Sequence, residues 1–351
     1  MTVTDIIELS KSKKRVYIDN EFAFVLYKGE LHKYGIILGE EIAEVDYQEI
    51  MENVLPKRAK LRAMNLLQTK DYTEAALRTK LMQGESPEDI IEEAKVLASK
   101  GCKELILIAQ DVTVYGNDLY GKLVLPELLR DLCKIDGIEW IRLMYCYEDR
   151  ITDELIEVMA SEPKICHYID IPIQHSSDNV LKGMNRRSTE GSIRNTITRL
   201  KNAIPDIHIR TTLITGFPGE TEEDFENLLE FVEETRFARL GVFAYSQEEN
   251  TPAGDREDQV PEDIRAQRAD AIMRRQLDIS LENNREKIGS VVEVLVEEKD
   301  EDGSYIGRTR FDAPEIDNSV IFTSERELKS GEIVKVKVQD AFDYDLTGME
   351  V

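Results

Sequence analysis

From residue 105 to residue 245 the chain repeats one pattern. A short run of consecutive apolar residues precedes a longer stretch with apolar residues at helical spacing. Leu105-Ile106-Leu107-Ile108-Ala109 is the first run and reads as a strand buried on both faces. Strands are predicted next over 140–147, 168–173, 207–214 and 239–245. Helices over 124–135, 152–160, 190–203 and 222–235 separate them, with Leu125, Leu128, Leu129 and Leu132 forming the stripe of the first. Strands alternating with helices imply βα units and a parallel sheet, here of five strands.

The flanks read differently. Ser86-Pro87-Glu88-Asp89 offers an N-cap, a proline at the first helical position and an acid at the third. Ile90, Ile91, Ala94, Leu97 and Ala98 then continue as a helix. Residues 261–288 predict a long charged helix. Beyond it, VVEVLV and IVKVKV with turns at Asp302-Gly303 and Ser330-Gly331 predict a small antiparallel β-barrel. At the other end, RVYIDNEFAFVLY over 15–27 predicts a hairpin turning near Asp19-Asn20. Helices are predicted over 46–54 and 57–68, with a further helix start at Asp71 and Leu77 and Leu81 on its face. The expected domains are 1–84, 85–283 and 284–351.

Charge sharpens this division. The chain of 351 residues carries a net charge of −25, yet residues 1–84 hold 13 acids and 13 bases and are neutral. Segment 56–84 is locally basic, whereas 284–351 holds 17 acids and 9 bases, a net of −8. An acidic chain lacks the surplus Lys and Arg that phosphate neutralisation needs, so nucleic acid is not an expected partner. No apolar stretch approaches the roughly 20 residues that span a bilayer, so no membrane is expected. The start shows no secretory signal, and four scattered cysteines fit a reducing cytoplasm.

Three polar strand endings are candidate chemistry. Thr215-Gly216-Phe217-Pro218-Gly219-Glu220-Thr221 sits where a buried strand ends and a capped helix begins. In parallel α/β folds that end faces the ligand. Gly216 and Gly219 let backbone approach a ligand, and free N–H groups at a helix start can hold a carboxylate or phosphate. A tight strand–helix turn would choose the same residues. Ile173-Gln174-His175 could hold a polar ligand, or His175 could be one of four histidines satisfied by a nearby carbonyl. Asp111, in Gln110-Asp111-Val112-Thr113, could line the same face or make an Asx turn.

AQDVTVYG, WIRLMYCYEDRITDELI, IDIPIQHSSDNVLKGMNR and TTLITGFPGETEEDF closely resemble the radical-SAM methylthiotransferases of the RimO type. IGRTRFDAPEIDN and DAFDYDLTG resemble that family's TRAM domain. The resemblance, over about 86–351, implies an incomplete TIM-like α/β barrel with a C-terminal TRAM barrel, S-adenosylmethionine (SAM) and a 4Fe-4S cluster. It implies methylthiolation of an aspartate in a small-subunit ribosomal protein, and the acidic tail suits so basic a partner. By resemblance, Gly216, Phe217, Pro218, Gly219, Glu220 and Gln174 bind SAM, with Asp111 and Arg210 on the same face.

The family's Cys-x3-Cys-x2-Cys loop, which binds three irons of the cluster, has no counterpart here. Cys102, Cys133, Cys146 and Cys166 are 31, 13 and 20 positions apart, so no short loop delivers three of them. They read as small buried apolar side chains, and no metal ligand is assigned. The loop and the family's first strand belong before Ser86. There, KKRVYIDNEFAFVLYKGEL and LPKRAKLRAMNLLQTKDYTEAALRTKL resemble instead the N-terminal part of RecX, which binds RecA filaments. The chain reads as a junction of two genes near 83–89. The expectation is a RimO-type chain that does not perform the reaction as it stands. The alternatives are a RecX-like protein contacting RecA, and a silent scaffold holding the ribosomal protein. A missing strand also exposes a sheet edge, so reduced solubility is expected.

Overall fold

The computed structural model describes residues 2–8, 13–19, 21–54, 57 and 86–351. Two compact units divide the chain: residues 1–96 with 116–122, and residues 97–115 with 123–351.

In the first unit, β1 (Val3–Glu8), β2 (Lys13–Ile18) and β3 (Glu21–Tyr27) form an antiparallel sheet in that order. The hairpin predicted over 15–27 is β2–β3, with Asp19 left-handed at φ +51°. Strand β1 was not foreseen, because VTDIIE lacks a clear alternation. Helices α1 (Lys28–Lys33) and α2 (Glu44–Glu49) follow, and α2 runs into a single π-type turn over Ile50–Val54. Val3, Val16, Phe24, Leu26 and Ile50 form a buried cluster, so this unit has a core of its own. The helix predicted over 57–68, the start at Asp71 and nearly all of the basic 56–84 segment lie outside the described residues. The predicted junction near 83–89 falls at the edge of the described residues, which resume at Ser86.

Helix α3 (Pro87–Ser99) begins at the predicted cap. The Asp89 N–H donates to Ser86 Oγ (3.3 Å), and the Ser86 hydroxyl donates back to Asp89 (3.0 Å).

The second unit holds the βα units. Their elements are β4 (Glu104–Leu107), α4 (Leu125–Cys133), β5 (Trp140–Leu143), α5 (Asp153–Ser161), β6 (Ile165–Asp170), α6 (Asp178–Gly183), α7 (Glu190–Ala203), β7 (His208–Thr215), α8 (Glu222–Thr235), β8 (Arg239–Ala244) and the long α9 (Glu262–Arg285). The five strands lie in the order β4-β5-β6-β7-β8, every neighbouring pair parallel. This is the predicted incomplete α/β barrel. Strands β4 and β8 have no outer partner strand among the described residues. The helices bury the leucine, isoleucine and phenylalanine stripes that predicted them, such as Leu125, Leu128, Leu129 and Leu132 of α4.

Strands β9 (Val291–Lys299), β10 (Tyr305–Thr309), β11 (Val320–Thr323), β12 (Ile333–Ala341) and β13 (Leu346–Glu350) close a barrel in the order β10-β11-β13-β12-β9. It is not wholly antiparallel as predicted, since β11 and β13 run parallel. Five strands in a closed ring cannot all alternate in direction, so one parallel pair is required.

The barrel docks under the sheet. Trp140 and Tyr168 pack with Leu295 and Ala313, and the loop between β10 and β11 meets the sheet through buried charge. Arg142 Nε donates to Glu104 (2.8 Å), whose other oxygen pairs with Arg308. The Tyr168 hydroxyl donates to Asp317 (2.7 Å), and Arg239 pairs with Asp312. Burial opposes ionisation of Asp312, yet Arg239 and Lys287 beside it and bonds from Thr309 and Arg239 hold its carboxyl down to about 2. Burial in turn lowers Lys287 to about 8.

Candidate cofactor site

Strand β7 ends at Thr215, and the chain turns through Gly216 (φ +71°) and Gly219 (φ +83°). Thr221 then caps α8, accepting from the Asp224 N–H (3.1 Å) while its own N–H donates to Asp224 (2.9 Å). Between them sits Glu220, 5 % exposed. Its Oε2 accepts the N–H groups of Gly216 (2.7 Å) and Phe217 (3.3 Å). Its Oε1 accepts from Arg268 of α9 (2.8 Å). The turn therefore does present two N–H groups to a carboxylate, but the carboxylate is the chain's own.

The two glycines face protein as well. A Cβ on Gly216 would lie 2.2 Å from Arg265 Cγ, and one on Gly219 would meet the Arg256 guanidinium at 2.5 Å and Asp258 at 2.7 Å. Phe217 and Pro218 are buried, with Phe217 edge-on to Tyr245 at 5.3 Å between centroids. Of the motif expected to touch SAM, these atoms shape a tight turn braced by α9. The side chains left half-buried beside it are Thr212 and Ile214, on the other face of β7.

Strand β6 is prolonged past its last ladder residue by Gln174. The Gln174 N–H donates to Thr212 O (2.9 Å), and the Ile214 N–H donates to Gln174 O (2.8 Å). Gln174 has φ +71°, which a side chain rarely adopts. Its side chain is half-buried and donates weakly to Pro172 O (3.4 Å), leaving the amide oxygen available. His175 is fully buried. Its Nδ1 accepts the Ser177 N–H (2.9 Å) rather than donating to a carbonyl, so its proton sits on Nε2, 3.5 Å from Glu220. The Ser177 hydroxyl donates to Asp224 (2.5 Å), tying this loop to the start of α8.

Asp111 makes the Asx turn, accepting the Thr113 N–H (3.0 Å) and its hydroxyl. Its Oδ2 is buried with no hydrogen-bond partner. A backbone relay then runs across the sheet. The Val112 N–H donates to Tyr145 O (3.2 Å), and the Tyr145 N–H donates to Asp170 Oδ2 (3.1 Å). Asp170 Oδ1 accepts from Arg210 (2.8 Å). Arg210 is thus held by Asp170, with Asp317 at 3.6 Å, near the start of β7. Five residues at about 3.3 Å each separate it from Thr215, roughly 17 Å down the strand. The structure brings Gln174 and the Gly216–Glu220 turn together, while Arg210 lies further back on β7, on the same face as Thr212 and Ile214 and in register with Asp170, the last residue of β6.

Sequence reasoning missed Asp170, Arg265 and Arg268. A signal existed for the arginines. Arg265, Arg268, Ile272, Gln276 and Ile279 keep the helical spacing of a buried stripe, and all five are buried. Charged residues in such a stripe indicate buried partners.

The four cysteines do not fit an iron–sulfur cluster. No group of three metal-ligating side chains gathers among the described residues. Cys133 lies on α4 and Cys166 within β6, Cys146 follows β5, and Cys102 donates to Glu104 O (3.1 Å). Burial pushes the Cys133 thiol up to about 11 and raises Cys146 and Cys166 too. Cluster ligation needs thiolates.

Parallel βα units followed by a closed five-stranded barrel define the class. Residues 72–232 match the Radical SAM superfamily and residues 288–351 match the TRAM domain. Over 74 % of its length the chain is similar to the RimO-type methylthiotransferases. It is 55 % identical over 262 residues to the ribosomal protein uS12 methylthiotransferase RimO of Lachnoclostridium phytofermentans, covering 74 % of this chain and 60 % of that one. It is 54 % identical over 261 residues to the same-named protein of Clostridioides difficile, covering 74 % and 59 %. The chain thus spans about 60 % of the length of the curated relatives it matches. Among solved structures, the radical SAM methyltransferase TsrM of Kitasatospora setae, bound to cobalamin and a [4Fe-4S] cluster, aligns at a TM-score of 0.40 and 14 % identity, over 48 % of this chain and 33 % of that one.

Proposed function

We propose that this chain binds SAM at the C-terminal ends of β6 and β7 and recognises the small-subunit ribosomal protein uS12, but does not itself transfer a methylthio group. The carrying observation is the fate of the cysteines: four separate thiols, three of them with raised pKa, none grouped with others. Radical SAM chemistry draws its electron from a thiolate-held cluster, so no step is derived through one here.

The binding half of the reading rests on other atoms. The unpartnered Asp111 Oδ2 and the Gln174 amide oxygen are acceptors for the hydroxyl and ammonium groups of SAM. Its carboxylate would find the Gly216 and Phe217 amides already taken by Glu220. Affinity for SAM is therefore weak. The acidic C-terminal barrel complements a basic ribosomal protein, and this chemistry belongs in the cytoplasm.

The test is iron and acid-labile sulfide per chain after anaerobic reconstitution, together with SAM titration and a pull-down of uS12. The reading expects near-zero iron, measurable SAM binding and retained uS12. Stoichiometric cluster with reductive SAM cleavage would overturn it. The RecX-like alternative rests on the sequence resemblance of residues 1–83 alone. Capture of RecA rather than uS12 would favour it.

A further inference from the structure

A cavity of about 270 Å³ opens between the starts of β7 and β8, helix α9 and two loops of the C-terminal barrel. Two of its lining side chains carry a buried polar atom with no hydrogen-bond partner: Gln276 Oε1 and Asn318 Nδ2. Gln276 is 3 % exposed and Asn318 5 %. The Gln276 assignment is fixed, because its Nε2 donates to Phe237 O (2.9 Å). The oxygen is therefore an acceptor, and Asn318 supplies a donor. A buried polar group without a partner is destabilising, and a bound molecule that supplies the missing hydrogen bond relieves it.

The charges at the cavity limit what fits. Arg210 is matched by Asp170 and Asp317, and Arg239 by Asp312. No cation is left for an anionic ligand. Glu315, exposed at the mouth, forms no ion pair among the described residues and repels anions. Beside it, Ile316 and Tyr344 are half exposed, at 50 % and 48 %, and give the mouth an apolar and aromatic surface. Gly241 leaves its part of the wall open, since a Cβ there would meet nothing within 4 Å.

One donor, one acceptor, an aromatic lip and no free positive charge suit a flat uncharged group with an amide-type edge. We propose that this cavity binds an uncharged nucleoside, its base edge on Gln276 and Asn318 and its face against Tyr344. The volume lies just under the usual range for ligand sites, about 300–1,000 Å³, so a single nucleoside is the largest such ligand. This inference stands apart from the SAM and uS12 reading.

Calorimetry and ligand-observed NMR on the full chain, with uridine and adenosine as probes, test it. S-adenosylhomocysteine in excess blocks the SAM site, so its failure to displace uridine separates the two sites. Saturable uridine or adenosine binding is expected, at least tenfold weaker for the 5′-monophosphates. Asn318→Asp, which turns the donor into an acceptor, should raise the Kd about tenfold, some 1.4 kcal/mol. Tyr344→Ala should raise it severalfold while the protein melts as the parent does, because that ring is half exposed. No saturable nucleoside binding would overturn the proposal. So would monophosphates binding as well as nucleosides, nicotinamide alone binding, or a Kd that neither variant moves.

Discussion

The two ends of β7 solve the same problem in different ways. At its C-terminal end a buried carboxylate, Glu220, serves two backbone N–H groups three and four residues away and one arginine from α9. At its N-terminal end the buried carboxylates arrive from afar. Asp317 and Asp312, more than 70 positions along the chain, meet Arg210 and Arg239. The first end is a local turn that needed one helix to finish it. The second exists only once the C-terminal barrel has docked. A motif can be legible, and its chemistry still be spent on holding itself together.

That contrast can be broken experimentally, most strongly at the docked end. Asp312→Ala leaves Arg239 and Lys287 buried without their shared partner and should cost about 3–5 kcal/mol in urea unfolding. A loss under 1 kcal/mol would mean that water reaches this pair. Glu220→Gln keeps the shape but removes the charge from two N–H groups and Arg268, and a smaller loss of about 2–3 kcal/mol is expected. SAM binding is the sharper readout there. If freeing the Gly216 and Phe217 amides strengthened SAM affinity, the self-capping account of this turn would be confirmed.

Acid titration separates the ends next. Asp312 ionises near 2 in the folded chain against an ordinary value of 3.8, so its stabilisation is complete above about pH 4 and fades as pH falls toward 2. The shift corresponds to about 2 kcal/mol. His208, pushed down to about 4 by burial and by Lys287 and Arg239, is a separate case. The unfolded chain binds its proton first, so stability falls between about pH 6.5 and 4. His208→Gln should flatten that upper limb of the melting curve and leave the lower one. The smallest effect is expected from Gly219, with Gly216 as its contrast. Gly219→Ala meets the flexible end of Arg256, and about 1–2 kcal/mol of left-handed strain is its main cost. Gly216→Ala adds a clash with the stem of Arg265 and should be the worse of the two by at least 1 kcal/mol in the same unfolding assay.

How far the sequence could be read follows the same local-to-distant divide. Helices 190–203 and 222–235 were legible to the residue, because their stripes and the Thr221–Asp224 cap are encoded within one or two turns. Strand 140–147 came out shorter, ending at Leu143, because Met144, Tyr145 and Cys146 continue the apolar run while Tyr145 turns left-handed at φ +57°. No residue type announces that turn. Its cause is Asp170 across the sheet, which claims the Tyr145 N–H. The Gly216–Glu220 segment was correctly placed at a strand end, but spacing could not say that Glu220 would fold back onto the amides. Nor could spacing show that Arg210 would pair with Asp170 and Asp317, since Asp317 comes from another domain.

The closed ring of β9–β13 and the open row of β4–β8 differ in one further respect, visible only over time. In the ring every strand has neighbours on both sides, whereas among the described residues no strand lies outside β4, with Ile106 exposed on it and Ile108 exposed just past it. Deuterium therefore enters β4 within the first exchange interval, and the ring retains its protons until the chain unfolds as a whole. The rim that exchanges first is also the rim along which two copies of the chain would zip together, so the slow clock of the ring and the fast clock of β4 set storage life between them.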